Sequence, residues 1–517
     1  MDINLSILTA LFFVTLIAIL LHILNLNRKR VNQEPPKAKG AWPIIGHLPV
    51  FGGSRLAHHV LSDMADKHGP IFTIKLGVHQ VLVVNSRETA KECYTTNDKI
   101  FASRPKLMAA EIMGYNYALV GLTPYGDYWR KVRKMITLEV LSQRRVEMLE
   151  HVRVSELKAS MKDIYDTWQH SKESEVVKVD MSGWFGNLIL NVVLRILSGK
   201  RFPLNHKESI RSQKAVRNFF ELLGTFVVSD FIPFLNVLDL GGYKKKMKMA
   251  AKEMDNILEG WLKEHKREKE KQHDHDNQVF MDVMISILQD ASEEDFPGYD
   301  HDITIKASCL AILVAASDTT SVTLIWALTM LVNDPKTMKI AQDEIDEHVG
   351  RDRLVEQSDV KKLVYLQAVI KETLRLHPPG PLSLPHESTE DCIVSGYNIP
   401  KGTRLFVNFY KLQRDPNVWS DPHKFKPERF LTSHKDIDFR GNHFELIPFG
   451  SGRRVCPGIF FAQEAMPFIL ASLLQQFTIK NPSHEPIDMT ESEGVTATKA
   501  IPLEVLIAPR LSLINMH

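Results

Sequence analysis

Thirty-two consecutive residues, Asp302 to Asn333, contain neither glycine nor proline and are apolar on almost every side. As a helix they run for about 48 Å at 1.5 Å per residue. A helix with no polar face has to be surrounded, so the rest of the chain must wrap it. One interruption breaks the run, Ala315-Ala316-Ser317-Asp318-Thr319-Thr320-Ser321. It leaves apolar halves too short to cross a bilayer alone, which argues against a membrane span here. An acid among hydroxyls is costly in a core unless it has a task. Two readings stand: hydroxyls bonding back to carbonyls one turn earlier, or an acid and a hydroxyl placed to relay protons.

The second constraint is Phe449-Gly450-Ser451-Gly452-Arg453-Arg454-Val455-Cys456-Pro457-Gly458. Its glycines permit tight turns and close backbone approach to a flat group. The apolar run Ile459 to Gln475 reads as a helix, so Cys456 stands at a helix start, where positive partial charge favours a thiolate and metal coordination completes its deprotonation. A structural cysteine buried in a glycine turn is the competing reading. The spacing F-x-x-G-x-R-x-C-x-G resembles the haem-binding signature of the cytochrome P450 superfamily, and the resemblance makes Cys456 the thiolate ligand of haem b iron.

Other stretches match the same family in order. Trp129 and Arg133 lie four apart on one helix face, which by residue type alone is a solvated basic face; the resemblance makes the pair a contact for haem propionates, with His386 and Arg454 alongside. His386 ends the proline-stiffened stretch His377 to His386, and a turn histidine without a role is its other reading. Glu372 and Arg375, at i and i+3, are an ordinary surface pair by spacing; with Arg429 of Phe425-Lys426-Pro427-Glu428-Arg429-Phe430, the resemblance makes them a buried structural network. Asp318 and Thr319 match the family's acid and threonine, which deliver protons to oxygen bound on iron. Ala316 departs from the pattern, which has glycine there, so a methyl group intrudes on the oxygen groove. Pocket segments by resemblance contain Met108, Met113, Tyr115, Ala315, Ala316, Leu382, Leu384, Val495 and Thr496.

The N-terminal stretch Ile3 to Asn27 has no charged residue, and its 25 positions span about 37 Å as a helix, against about 30 Å of bilayer core. Arg28, Lys29 and Arg30 follow, so the positive-inside rule keeps the remainder cytosolic. A cleaved signal peptide is the alternative, without the expected basic start or small-x-small site. The expected division is an anchor and basic stop at 1–30, a proline-rich hinge at 31–50 and a catalytic domain at 51–517. That domain is expected to be mainly α with a small β lobe, the cytochrome P450 fold. Strands are expected at Ile71 to Leu76 and Gln80 to Val84 as a hairpin, and briefly near Cys392 to Val394 and Arg404 to Asn408. The segment from Phe101 to Gly121 reads as an irregular loop, and Phe219 to Phe234 is apolar enough to meet either a membrane or a substrate.

The chain has 517 residues, 44% hydrophobic and 24% charged, with net charge +2, which excludes a disordered chain and points away from nucleic acid. Its four cysteines are dispersed, which suggests neither a disulfide framework nor a cysteine zinc site. His273-Asp274-His275-Asp276 reads as a solvated connector before it reads as a metal site. No P-loop and no complete dinucleotide fingerprint is present. Electrons therefore come from a partner, which by resemblance is the membrane-bound NADPH-cytochrome P450 reductase, docking on the basic face of Arg130, Lys131 and Lys134. The resemblance implies a single-pass enzyme of the endoplasmic reticulum membrane, in contact with lipid, that inserts one oxygen atom of O2 into a small lipophilic plant metabolite: a flavonoid, terpenoid, alkaloid or coumarin. Two other readings are a haem-thiolate isomerase or dehydratase that needs no reductase, and a non-enzymatic haem sensor or carrier.

Overall fold

The computed structural model describes residues 15–16 and 33–511, except 54, 172–174, 203–206 and 272–278. The expected anchor at 1–30, apart from positions 15 and 16, and the His273 to Asp276 tract lie outside the described residues. The helices that position the site are α1 (Ala57–His68), α2 (Asp127–Ile136), α3 (Met181–Ser198), α4 (Lys207–Leu223), α5 (Tyr243–Lys271), α6 (His301–Asn333), α7 (Val364–Leu376) and α8 (Ile459–Gln476).

The long apolar run forms α6 and is the axis of the molecule. Its start is fixed by Asp300, whose carboxylate accepts the Ile303 N–H at 2.7 Å. It packs against α3, α5, α7 and α8, so its apolar sides are covered over most of its length. Trp326 on α6 is fully buried; its indole N–H donates to the Ala497 carbonyl at 2.7 Å and its ring stacks on His377 at 4.1 Å. Replacing that ring with alanine costs about 3–5 kcal/mol.

The strands are β1 (Ile71–Leu76), β2 (His79–Val84), β3 (Val177–Asp180), β4 (His386–Glu387), β5 (Cys392–Val394), β6 (Tyr397–Ile399), β7 (Arg404–Val407), β8 (Phe477–Lys480) and β9 (Glu504–Pro509). The expected hairpin is β1 and β2, which pair antiparallel from Ile71 opposite Val84 to Leu76 opposite His79. Strand β7 then lies parallel to β2 and antiparallel to β4, giving the order β1-β2-β7-β4. Strands β5 and β6 form a small hairpin of their own. A three-stranded sheet, β3-β9-β8, is an element the sequence reading did not contain. Its strands are short, and β8 begins at the residue after α8 ends, so the helical apolar pattern masks it.

The expected hinge packs on the body from Pro36 onward. Ala38 N–H donates to the Thr73 carbonyl at 2.9 Å and His47 N–H to the Lys75 carbonyl at 2.6 Å, so this segment flanks β1. The loop after Phe101 is irregular as expected, with one short helix at Met108–Ile112 and three successive residues, Tyr115, Asn116 and Tyr117, at positive φ.

Candidate functional site

Cys456 sits in the turn that feeds α8, and its sulfur accepts the Gly458 N–H at 3.3 Å. Burial pushes the thiol pKa up, while that N–H and the Arg133 charge pull it down. Burial outweighs both, and coordination to a cation would favour the thiolate. The loop is clamped from outside by Asp98, whose carboxylate accepts the Arg453 N–H at 2.9 Å. Gly452, at φ +67°, is required there, because a Cβ would stand 2.4 Å from Asp98 Oδ1 and 2.7 Å from the Tyr94 carbonyl. Close approach at Gly452 is thus to the protein's own helix-end segment.

Three guanidinium groups gather beside this loop. Arg454 donates to the carbonyls of Ala102 at 2.6 Å, Val120 at 3.3 Å and Thr123 at 2.6 Å. Arg104 donates to those of Gly121 at 3.1 Å and of Leu384 and Pro385 at 2.9 Å each. Arg133 donates to the Val455 carbonyl, next to the cysteine. Arg454 also lies over the Trp129 ring, 4.3 Å from its centroid. Burial, then the charges of Arg104 and Arg133, push the Arg454 pKa down. Arg104 is buried and Arg133 and Arg454 are half-buried, and such a cluster of cations, with no carboxylate partner among the described residues, is unfavourable unless an anion joins it. His386 belongs to the same cluster. Its Nδ1–H donates to the Phe101 carbonyl at 2.6 Å, and burial with the Arg104 charge keeps the ring neutral. That tautomer leaves Nε2 as an acceptor.

The residues therefore fit a haem: a half-buried cysteine sulfur for its iron, and a cationic cluster for its two carboxylates. Arg104 is the member that sequence reading missed. The available signal was an arginine between Ser103 and Pro105, within a segment otherwise read as loop.

Across α6 the burial pattern changes abruptly. Residues on either side of 315–319 are buried, whereas Ala315 is exposed and Ala316, Ser317, Asp318 and Thr319 are half-buried. Between its two ends α6 loses burial only at 315–319, and we read this opening in a core helix as one side of a cleft. Leu384 is exposed, Leu382 and Val495 are half-buried, and Ala316 and Cys456 border the same apolar cluster. The hydroxyls here do bond back along the helix: Thr319 to the Ala315 carbonyl at 2.7 Å and Ser317 to that of Leu313 at 2.5 Å. Asp318 does something else. Its Oδ2 accepts the Thr496 hydroxyl at 2.6 Å, and burial raises its pKa against that bond.

Three other pocket candidates have contacts of their own. Met113 is fully buried in the core. Tyr115 donates its hydroxyl to Asp255 at 2.9 Å on α5, beneath Lys306. Met108 is buried, its N–H held by Asp230 at 2.7 Å.

The arginine–glutamate network is complete. Arg375 Nε and Nη2 donate to the two Glu372 oxygens at 2.7 and 2.8 Å, and Arg429 Nε donates to Glu372 Oε1 at 3.1 Å. All three are buried, and both guanidinium groups lie over the buried Trp419 ring. On the basic face of α2, Arg130 pairs with Asp127 and Lys131 with Asp295, which reduces the free charge there.

The family model described as cytochrome P450 matches residues 35–506. Demethylepipodophyllotoxin synthase of Sinopodophyllum hexandrum is 51% identical over 488 residues, 93% of each chain. Strychnine-10-hydroxylase of Strychnos nux-vomica is 51% identical, covering 93% of this chain and 92% of its own. Flavonoid-6-hydroxylase of Mentha piperita is 48% identical over 99% of both. Among solved structures, a zebra fish cytochrome P450 with progesterone superposes with a TM-score of 0.74 at 23% identity, covering 88% of this chain and all of that one, which shows the shared fold.

Proposed function

Because the chain belongs to the cytochrome P450 family, we propose that it is a haem-thiolate monooxygenase of plant specialised metabolism that inserts one atom of dioxygen into a small, mostly apolar metabolite of the alkaloid, lignan, flavonoid or coumarin kind. The family implies haem. The observation that carries the reading is Cys456, half-buried, whose sulfur accepts the Gly458 N–H at the start of α8, beside three arginines that have no carboxylate partner among the described residues.

When bound, haem supplies dioxygen activation, with its thiolate ligand pushing electron density toward O–O cleavage. The chain's residues do the rest. Cys456 ligates the iron, and the Gly458 N–H limits charge build-up on its sulfur. Arg104, Arg133 and Arg454 hold the carboxylates, with Trp129 as a platform under Arg454 and His386 fixing the strand behind them. Asp318, its carboxyl held by Thr496, takes protons toward the cleft. Thr319 has its own hydroxyl hydrogen engaged by the Ala315 carbonyl, so its oxygen accepts from a water or a substrate hydroxyl at the open centre of α6. Exposed Ala315 and Leu384 offer an apolar wall, which suits a lipophilic substrate. Ala316 puts a methyl group where the family pattern has glycine, and this narrows the cleft beside Asp318.

Electrons come from NADPH through a membrane-bound flavoprotein reductase that docks on the α2 face, and the chain is held in the endoplasmic reticulum membrane by residues 1–30. The charge-free stretch from Ile3 to Asn27 and the arginines after it support that reading.

The test is product analysis from microsomes that hold this chain and a plant reductase, fed a metabolite panel under isotopically labelled dioxygen. One labelled oxygen in a product formed only with NADPH is expected. Conversion without label or NADPH contradicts the reading.

A further inference from the structure

Away from the candidate site, α1 carries two consecutive histidines that converge on an acid far along the chain. His58 Nε2 lies 2.8 Å from Glu491 Oε2, a contact across 433 positions. His59 Nε2 lies 3.6 Å from the same oxygen. The three ligand atoms stand within 4.8 Å of one another. We propose that His58, His59 and Glu491 form a second metal site, which takes one divalent cation of the zinc class.

Two imidazoles and a carboxylate are a donor set that zinc accepts, with water at the remaining position. With bonds of about 2.0–2.2 Å, tetrahedral ligand atoms are separated by about 3.3–3.5 Å. The observed 2.8 and 3.6 Å bracket that separation, so small side-chain shifts close the site. The protonation states are suitable as well. Neutral imidazole and ionised carboxylate are the ligating forms, and both are the ordinary forms of these side chains near pH 7.5. On binding, the ion takes the Nε2 position of neutral His58, and the ring hydrogen moves to Nδ1 by exchange with solvent, so no net proton is released.

The surroundings are built for fixed orientation. His377, half-buried and stacked on Trp326 at an interplanar angle of 10°, bonds through Nδ1 to the other Glu491 oxygen at 3.2 Å. An outer-shell partner of this kind orients a ligating carboxylate. The His58 carbonyl accepts from Ser62 at 2.7 Å and from Asn408 at 3.1 Å, which pins the helix turn that presents both rings. Tyr410 packs on both histidine rings, at 5.0 and 4.6 Å. The His59 side chain is 35% exposed, which gives an entry path and room for water. Arg414, stacked on Tyr410 at 3.7 Å, adds a nearby positive charge that keeps the affinity moderate. Glu491 precedes Thr496 by five residues, so an ion here stiffens the loop that holds Asp318.

Zinc retention by the haem-containing full chain tests this. The protein is prepared without a histidine tag, in a His273→Asn, His275→Asn background that removes the other histidine tract. After equilibration with zinc sulfate and dialysis against metal-free buffer near pH 7.5, elemental analysis should give one zinc per haem iron. Retention should fall about tenfold or more in Glu491→Gln and in His59→Gln, and in the parent near pH 5.5, where histidines protonate. The partly exposed position of His59 keeps that variant folded, checked by its reduced carbon monoxide spectrum. No zinc in the folded parent, or equal zinc in parent and His59→Gln, overturns the site.

Discussion

Thr496 donates its hydroxyl to Asp318 Oδ2 at 2.6 Å, across 178 positions of sequence, at the one place where α6 opens to a cleft. Burial raises the Asp318 pKa and this bond opposes the rise. A carboxyl that relays protons must be protonated for part of each cycle, so its donor partner sets the pH range over which relay works.

Thr496→Val removes the donor and lets the pKa rise further. The falling limb of coupled turnover, product formed per NADPH consumed, should move to higher pH. An unchanged pH profile would show that Thr496 does not act through Asp318.

Asp318→Asn should lower coupled turnover by about 10²-fold. Its stability effect has the opposite sense. A carboxyl whose folded pKa lies above its unfolded value adds stability below the unfolded pKa and loses it as pH rises through the folded pKa. At neutral pH the ionised form is disfavoured by folding, so the asparagine variant should melt no lower than the parent. A large fall in melting temperature would assign Asp318 to the structure.

The arginine cluster predicts that Arg104→Met and Arg454→Met both speed haem loss, by about tenfold or more for each charge-assisted bond removed, at about 1.5–3 kcal/mol. Transfer of haem to an apoprotein scavenger measures the rate. Normal retention in Arg104→Met would remove that residue from the cradle.

Glu372→Ala leaves Arg375 and Arg429 buried with no counter-charge, a loss of about 3–5 kcal/mol. The expected readout is a large fall in denaturation midpoint together with low haem content, whereas Arg429→Lys, which keeps a charge, should cost less. Parent-like stability in the alanine variant would contradict a structural network.

Much of this was legible because the decisive residues are close in sequence. The run from Asp302 to Asn333 fixed its helix within one residue, and the loop ending in Cys456 carries its glycines, arginines and cysteine within ten positions. Glu372 and Arg375 are one helical turn apart, and Arg429 needed only a resemblance to join them. What stayed hidden depends on long-range closure. Arg104 is a lone cation in a loop until the fold sets Arg133 and Arg454 beside it. The Asp318–Thr496 bond and the meeting of His58, His59 and Glu491 are products of topology, with no local signal. The bond from Tyr115 to Asp255 was hidden for the same reason, because only the fold brings the two together.

The central claim rests on Cys456. The most direct test is the spectrum of the reduced protein with carbon monoxide, parent against Cys456→Ala. A red-shifted Soret band in the parent that is absent from the variant is the predicted result. Persistence of that band without the cysteine would contradict the thiolate assignment and the proposed function built on it.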